Sequence, residues 1–110
     1  MSETEFLDLA DSTLNTIETA MDRLNDEDVL DVECKRSGNV LEIEFIDNGS
    51  KIIVNSQAPL QEMWVAARSG GFHYKRLDGQ WLNTRDGSEF YASLSRLASE
   101  QGGAPVTIAG

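Results

Sequence analysis

The chain has 110 residues, 40% of them hydrophobic, with a net charge of −10 and an isoelectric point near 4.3. This length and apolar content fit one domain with a modest core and argue against disorder. No apolar run approaches the ~18 residues of a membrane span, and the acidic balance disfavours nucleic acid and anionic membrane as partners, pointing instead to cations or basic protein surfaces.

The first element predicted is an amphipathic helix, roughly Thr4 to Leu24. Phe6, Leu9, Ala10, Leu14, Ile17, Ala20, Met21 and Leu24 recur at helical spacing, and Ser2-Glu3-Thr4-Glu5 fits a capping box. The acidic start, Met-Ser-Glu-Thr-Glu, resembles neither a secretion signal nor a transit peptide, so a cytoplasmic location is expected. The pattern then changes to period two. Leu30, Val32 and Cys34 alternate with charged residues, and so do Leu41, Ile43 and Phe45. Turn signals stand at Ser37-Gly38-Asn39 and Asn48-Gly49. Lys51 to Asn55 reads as a third strand, Met63 to Ala67 as a fourth beyond Pro59, Phe72 to Leu77 as a fifth after a break at Gly70-Gly71, and a sixth lies around Trp81. A second helix carries Phe90, Leu94, Leu97 and Ala98 on one stripe, with Asp86-Gly87-Ser88-Glu89 as its capping box and Gly102-Gly103 as its end. Strands joined by tight turns make an antiparallel sheet. The expected fold is therefore α+β: a two-layer α–β sandwich, with two helices packed on one face of about six strands and the other face open.

The charge is segregated. Residues 1–33 hold eleven of the nineteen acids and one base, Arg23, whereas from Cys34 onward acids and bases balance. On a wheel of 100° per residue, Asp11, Glu18 and Asp22 fall at about 20°, 0° and 40°, with Asp8 near 80° and the apolar set near 250°. Asp26, Glu27 and Asp28 extend this stripe past the helix, and Asp31 and Glu33 continue it on the outward face of the first strand. Such crowding opposes the helix: like charges four apart cost about 0.2–0.5 kcal/mol per pair, and acids at a helix C-terminus ~0.3–1 kcal/mol each. Besides a solvated face, the ridge reads as a cation site or a docking surface for a basic protein. With oxygen donors alone it suits hard cations, bound shallowly and weakly, with no loop to wrap an ion.

Catalytic groups are sparse. His73 is the only histidine, expected exposed on its strand, and Cys34 the only cysteine, expected to be a small core residue. No phosphate loop follows Gly70-Gly71. No catalytic residues are assigned, and the chain reads as a binding protein, not an enzyme. Trp64 is more informative: Met63, Val65 and Ala67 alternate inward, so Glu62 and Trp64 face the open side of the sheet. There, beside Asn55 and Gln57, an outward Trp reads as an interface anchor.

The block Asn48-Gly49-Ser50-Lys51-Ile52-Ile53-Val54-Asn55-Ser56-Gln57-Ala58-Pro59, followed by Met63-Trp64-Val65-Ala66 and Ser69-Gly70-Gly71-Phe72-His73-Tyr74, resembles the bacterial frataxin (CyaY) family. Asp78-Gly79-Gln80-Trp81 and Arg85-Asp86-Gly87-Ser88-Glu89-Phe90 extend the likeness over nearly the whole chain, as one frataxin-like domain over 1–110. The resemblance implies weak binding of ferrous or ferric iron, or other hard divalent cations, on the ridge. It also implies regulation of iron–sulfur cluster assembly by docking to a cysteine desulfurase and its scaffold protein. The implied state is a monomer, with metal-driven oligomers open to it. Family metal positions are similar to Asp11, Glu18, Asp22, Glu27 and Asp31, and family sheet-surface positions to Asn55, Gln57, Trp64 and His73. Leu7, Thr19, Arg23, Asn25 and Glu62 depart from the family pattern, and Arg23 is the base expected to pair with an acid and split the ridge. The alternative reading is an acidic docking module that modulates a basic partner, with metal binding incidental.

Overall fold

A computed structural model describes residues Met1 to Gly110. Helix α1 runs Glu3–Asp26, capped by Ser2, whose Oγ accepts the Glu5 amide at 3.0 Å. Its buried stripe is the predicted one with two changes: Leu9 is only partly buried, and Thr13 takes a core position. The Thr13 hydroxyl is satisfied there, donating to the Leu9 carbonyl at 2.8 Å and accepting the Trp81 indole N–H at 3.0 Å. Burying a polar group is tolerable when its hydrogen bonds are made. At 220° on the wheel, Thr13 was within the apolar arc, and its residue type concealed it.

Six strands follow: β1 Val32–Ser37, β2 Val40–Phe45, β3 Ser50–Gln57, β4 Glu62–Ala67, β5 Gly70–Leu77 and β6 Gln80–Asn83. A single 3₁₀ turn, Ala58–Leu60, stands at Pro59 between β3 and β4. The sheet is an antiparallel meander in the order β1-β2-β3-β4-β5-β6. The predicted break at Gly70-Gly71 is displaced: both glycines lie in β5, and the turn is Arg68–Ser69, since Ala67 pairs with Gly70. The Gln101 side chain stabilises that turn by accepting the Arg68 amide at 3.0 Å. Asp78 and Gly79 both have positive φ, 50° and 80°, matching the twist that a two-residue hairpin requires.

Helix α2 spans Phe90–Gly102 and ends on Gly103 in the left-handed conformation. Its cap is not the expected box. Glu89 itself is the N-cap, accepting the amides of Tyr91 and Ala92 at 2.7 and 3.0 Å, while Asp86 serves a local turn to Ser88. Both helices cover one face of the sheet. Leu41, Ile43, Ile52, Val54, Met63, Val65, Tyr74 and Trp81 point into that layer and are buried. The opposite face carries Glu42, Glu44, Lys51, Asn55, Trp64 and His73 and has no covering layer. No helix is long and apolar enough to cross a membrane.

Candidate functional site

Two surfaces gather the predicted site residues. The first is the open sheet face. Strand register sets Asn55 opposite Trp64 and Trp64 opposite His73, and in the next row Gln57 opposite Glu62 and Glu62 opposite Lys75. Asn55, Gln57, Trp64 and His73, scattered over nineteen positions of sequence, thus form one patch on β3, β4 and β5. The Trp64 and His73 rings stack with centroids 4.2 Å apart and planes 4° from parallel. The Trp64 Nε1–H donates to Glu62 Oε1 at 2.8 Å. The same carboxylate lies 3.5 Å from His73 Nδ1 and 3.7 Å from Lys75 Nζ. Trp64 is half-buried, held by Glu62 and His73 beside it.

The second surface is the acidic ridge. Asp8, Asp11, Asp22 and Asp26 are exposed along α1, and Glu18 among them is partly buried. Glu27 closes the helix, and Asp28 turns the chain at φ 58°, a left-handed conformation that Asp tolerates better than most residues. Asn25 then ties this exit to the sheet, its Oδ1 accepting the Val32 amide at 3.2 Å. Asp31 precedes β1. Since Val32 is buried beneath the helical layer, Glu33 points to the other side, onto the open face, where it registers with Glu44. The ridge thus bends around the β1 edge, and its last member belongs to the sheet face.

One base enters the ridge, and it is not Arg23. Arg23 forms no ion pair within 4.0 Å, whereas Arg36 on β1 reaches Asp11 Oδ1 through Nη2 at 2.6 Å and Asn15 Oδ1 through Nη1 at 2.9 Å. Its Nε donates to the Gly38 carbonyl at 2.7 Å. The reason is strand parity: Val32, Cys34 and Arg36 share the face turned to the helix, so Arg36 projects beneath the first acidic turns. Carrying the Val32–Cys34 alternation two residues further would have found it. Asp8, Glu18, Asp22, Asp26, Glu27, Asp28, Asp31 and Glu33 have no cationic partner within 4.0 Å. No three His, Cys, Asp or Glu side chains converge to enclose a metal ion. The oxygen donors suit hard cations chemically, but each presents its carboxylate singly to solvent.

Cys34 lies inward on the edge strand, half-buried against the core. Burial, followed by the Asp22 and Glu18 carboxylates above it, pushes its thiol from 9.0 up to about 12. A thiol so protonated is a poor nucleophile. His73, the one imidazole, is on the opposite face of the sheet from Cys34, so no cysteine–histidine pair exists.

Residues 1–104 match the family model described as a frataxin-like domain. The iron–sulfur cluster assembly protein CyaY of Janthinobacterium sp. (strain Marseille) is 65% identical over 108 residues, covering 98% of this chain and 96% of that one. A frataxin from Psychromonas ingrahamii, studied for stability modulation within the CyaY family, superposes with a TM-score of 0.86 at 34% identity over the whole of both chains. A trimeric yeast frataxin complexed with ferrous ion shares the fold, with a TM-score of 0.72 at 23% identity over 86% of this chain and 85% of that one.

Proposed function

The chain belongs to the frataxin family, and from that premise we propose that it regulates iron–sulfur cluster assembly by docking to a cysteine desulfurase and its scaffold protein while carrying iron weakly on its acidic ridge. The observation that carries this reading is the Asn55–Trp64–His73 row. A Trp displayed on an uncovered sheet, locked by a carboxylate and flanked by amides, has the composition of an interface hot spot. The ridge adjoins the opposite edge of the same sheet. Its uniform charge suits the approach of a basic partner, since a surface of one sign steers oppositely charged partners and raises the rate of encounter.

Iron, in this reading, is cargo. Glu18, Asp22, Asp26, Glu27, Asp28 and Asp31 offer it oxygen ligands, with water completing each shell, and Asp8 and Asp11 contribute less because Arg36 engages Asp11. The protein acts in the cytoplasm and performs no chemistry of its own. Bridging of two ridges by metal would assemble monomers into oligomers.

A specific observation favours a second reading, an acidic docking module with metal incidental: the ridge carboxylates do not converge. One experiment separates the two. Binding to the desulfurase is measured with ferrous ion and under chelation, for the natural chain and for charge reversals at Asp22 and Asp26 to Asp28. Loss of binding by the reversed chain even under chelation supports docking by the ridge, and unchanged binding there sinks it. Ferrous titration followed by amide shifts should perturb α1 and the start of β1; shifts elsewhere, or none, would remove iron from the function.

A further inference from the structure

Glu62 is the only acidic or basic residue among the buried ones, at 7% exposure, and it is not in the core. It sits on the open sheet face, covered by the side chains it binds. A carboxylate withdrawn from water is costly unless it is hydrogen-bonded and paired, and Glu62 is both. Oε1 accepts the Trp64 indole N–H at 2.8 Å and lies 3.5 Å from His73 Nδ1, while Oε2 lies 3.7 Å from Lys75 Nζ. Glu62 and Trp64 are two apart on β4, and His73 and Lys75 two apart on β5, so one carboxylate joins four side chains across a single strand pair.

We infer that Glu62 is the positioning residue of the docking patch: it fixes Trp64 and His73 as one flat, stacked unit before any partner arrives. The inference rests on the docking reading above and deepens it. A hydrogen bond to an ionised acceptor is among the strong ones. The indole N–H is a single donor in the ring plane, so binding it sets both torsions of Trp64. With the indole set, His73 lies flat on one indole face and Asn55 stands in register on the other side, so the exposed part of the ring is presented to a partner in a fixed orientation. Binding then avoids the ordering cost that a free Trp would impose on association. The burial of Glu62 has no other evident purpose, for it touches neither helix through any hydrogen bond or ion pair.

The test combines a readout in the free protein with one in the complex. The two indole N–H signals in a nitrogen–proton correlation spectrum separate the roles, because Trp81 is bonded to Thr13 in the core and reports folding. In Glu62→Ala the Trp64 signal should move to the position of a water-bonded indole and Trp64 fluorescence anisotropy should fall, with Trp81 unmoved. Affinity for the desulfurase–scaffold pair should fall about tenfold. Glu62→Gln, whose side-chain oxygen accepts the same bond, should restore the Trp64 signal and most of the affinity. A Trp64 signal that stays in place in Glu62→Ala overturns the inference. So does a moved signal with undiminished affinity where Trp64→Ala does lose affinity. If Trp64→Ala leaves affinity intact, the docking reading fails, and the spectrum of the free protein still decides whether Glu62 positions Trp64.

Discussion

The sheet patch and the acidic ridge use charge in opposite ways. On the patch a single carboxylate, Glu62, is buried and bonded to a tryptophan, a histidine and a lysine, and the result is a fixed surface. On the ridge eight carboxylates have no cationic partner, and the one that does, Asp11, is held by a base from beneath. Rigid polar clusters select a partner by shape, whereas a surface of one sign attracts oppositely charged partners at a distance and sets the rate of encounter. The difference teaches that, in the proposed function, the two surfaces contribute different things to one encounter: the ridge approach and cation capture, the patch fit.

The strongest way to test that division is Trp64→Ala. It should weaken docking to the desulfurase–scaffold pair by at least about 2 kcal/mol, the scale of a hot-spot residue, in calorimetric titration. Thermal unfolding should shift little, because the outward indole contributes nothing to the helical layer. A large loss of stability with unchanged docking would reverse the assignment of fit to this face. Next in size are the ridge reversals Asp22→Lys and Asp26→Lys, which leave Asp28 in its left-handed turn. Each removes an acid from around the α1 C-terminus, and each should stabilise the fold by ~0.3–1 kcal/mol, seen in urea denaturation. Association with a basic partner should slow and lose its salt dependence at the same time. A ridge that gains stability and loses function when neutralised is the converse of the patch.

Arg36→Gln gives a smaller and more local effect. Asp11 is exposed and Arg36 mostly covered, and a pair with one partner in solvent is worth ~0–1 kcal/mol, so the loss of stability should be small. The ferrous-induced amide shifts, expected between Glu18 and Asp31 in the natural chain, should spread toward Asp8 and Asp11 once the guanidinium is gone. An unaltered shift pattern would show that Arg36 does not partition the ridge. The smallest effect at neutral pH belongs to Cys34. Its folded value of about 12 against 9.0 means that the folded chain holds the thiol proton more tightly than the unfolded one. The resulting stabilisation is complete below about pH 9 and is lost as the pH rises toward 12. Thiolate absorbance against pH should place the titration there, and Asp22→Asn should lower it. Ready alkylation near pH 8 in the folded chain would contradict the assignment.

Much of this was legible without coordinates. Period 3.6 and period 2 located both helices and all six strands, because each element has one buried face, and the wheel separated the stripe of Asp8, Asp11, Glu18 and Asp22 from the core. The outward direction of Trp64 followed from the parity of Met63 and Val65. What was missed shares a cause. Thr13 in the core, Glu89 as a cap, Arg36 beneath the ridge and the clasp of Glu62 all depend on which side chain meets which across elements. The turn at Arg68–Ser69 replaced the one expected at Gly70-Gly71 because pairing with β4 extends the strand through both glycines.

The sequence alone determined the elements, their buried faces and the segregation of charge, since periodicity and composition are properties of the chain itself. Tertiary structure decided the rest. Strand register, which no single segment contains, set Asn55, Trp64 and His73 in one row and turned Glu62 from a surface acid into a buried hinge between two strands. The packing of α1 over the edge of the sheet decided that the base entering the acidic ridge is Arg36, thirteen residues beyond the one that the sequence offered.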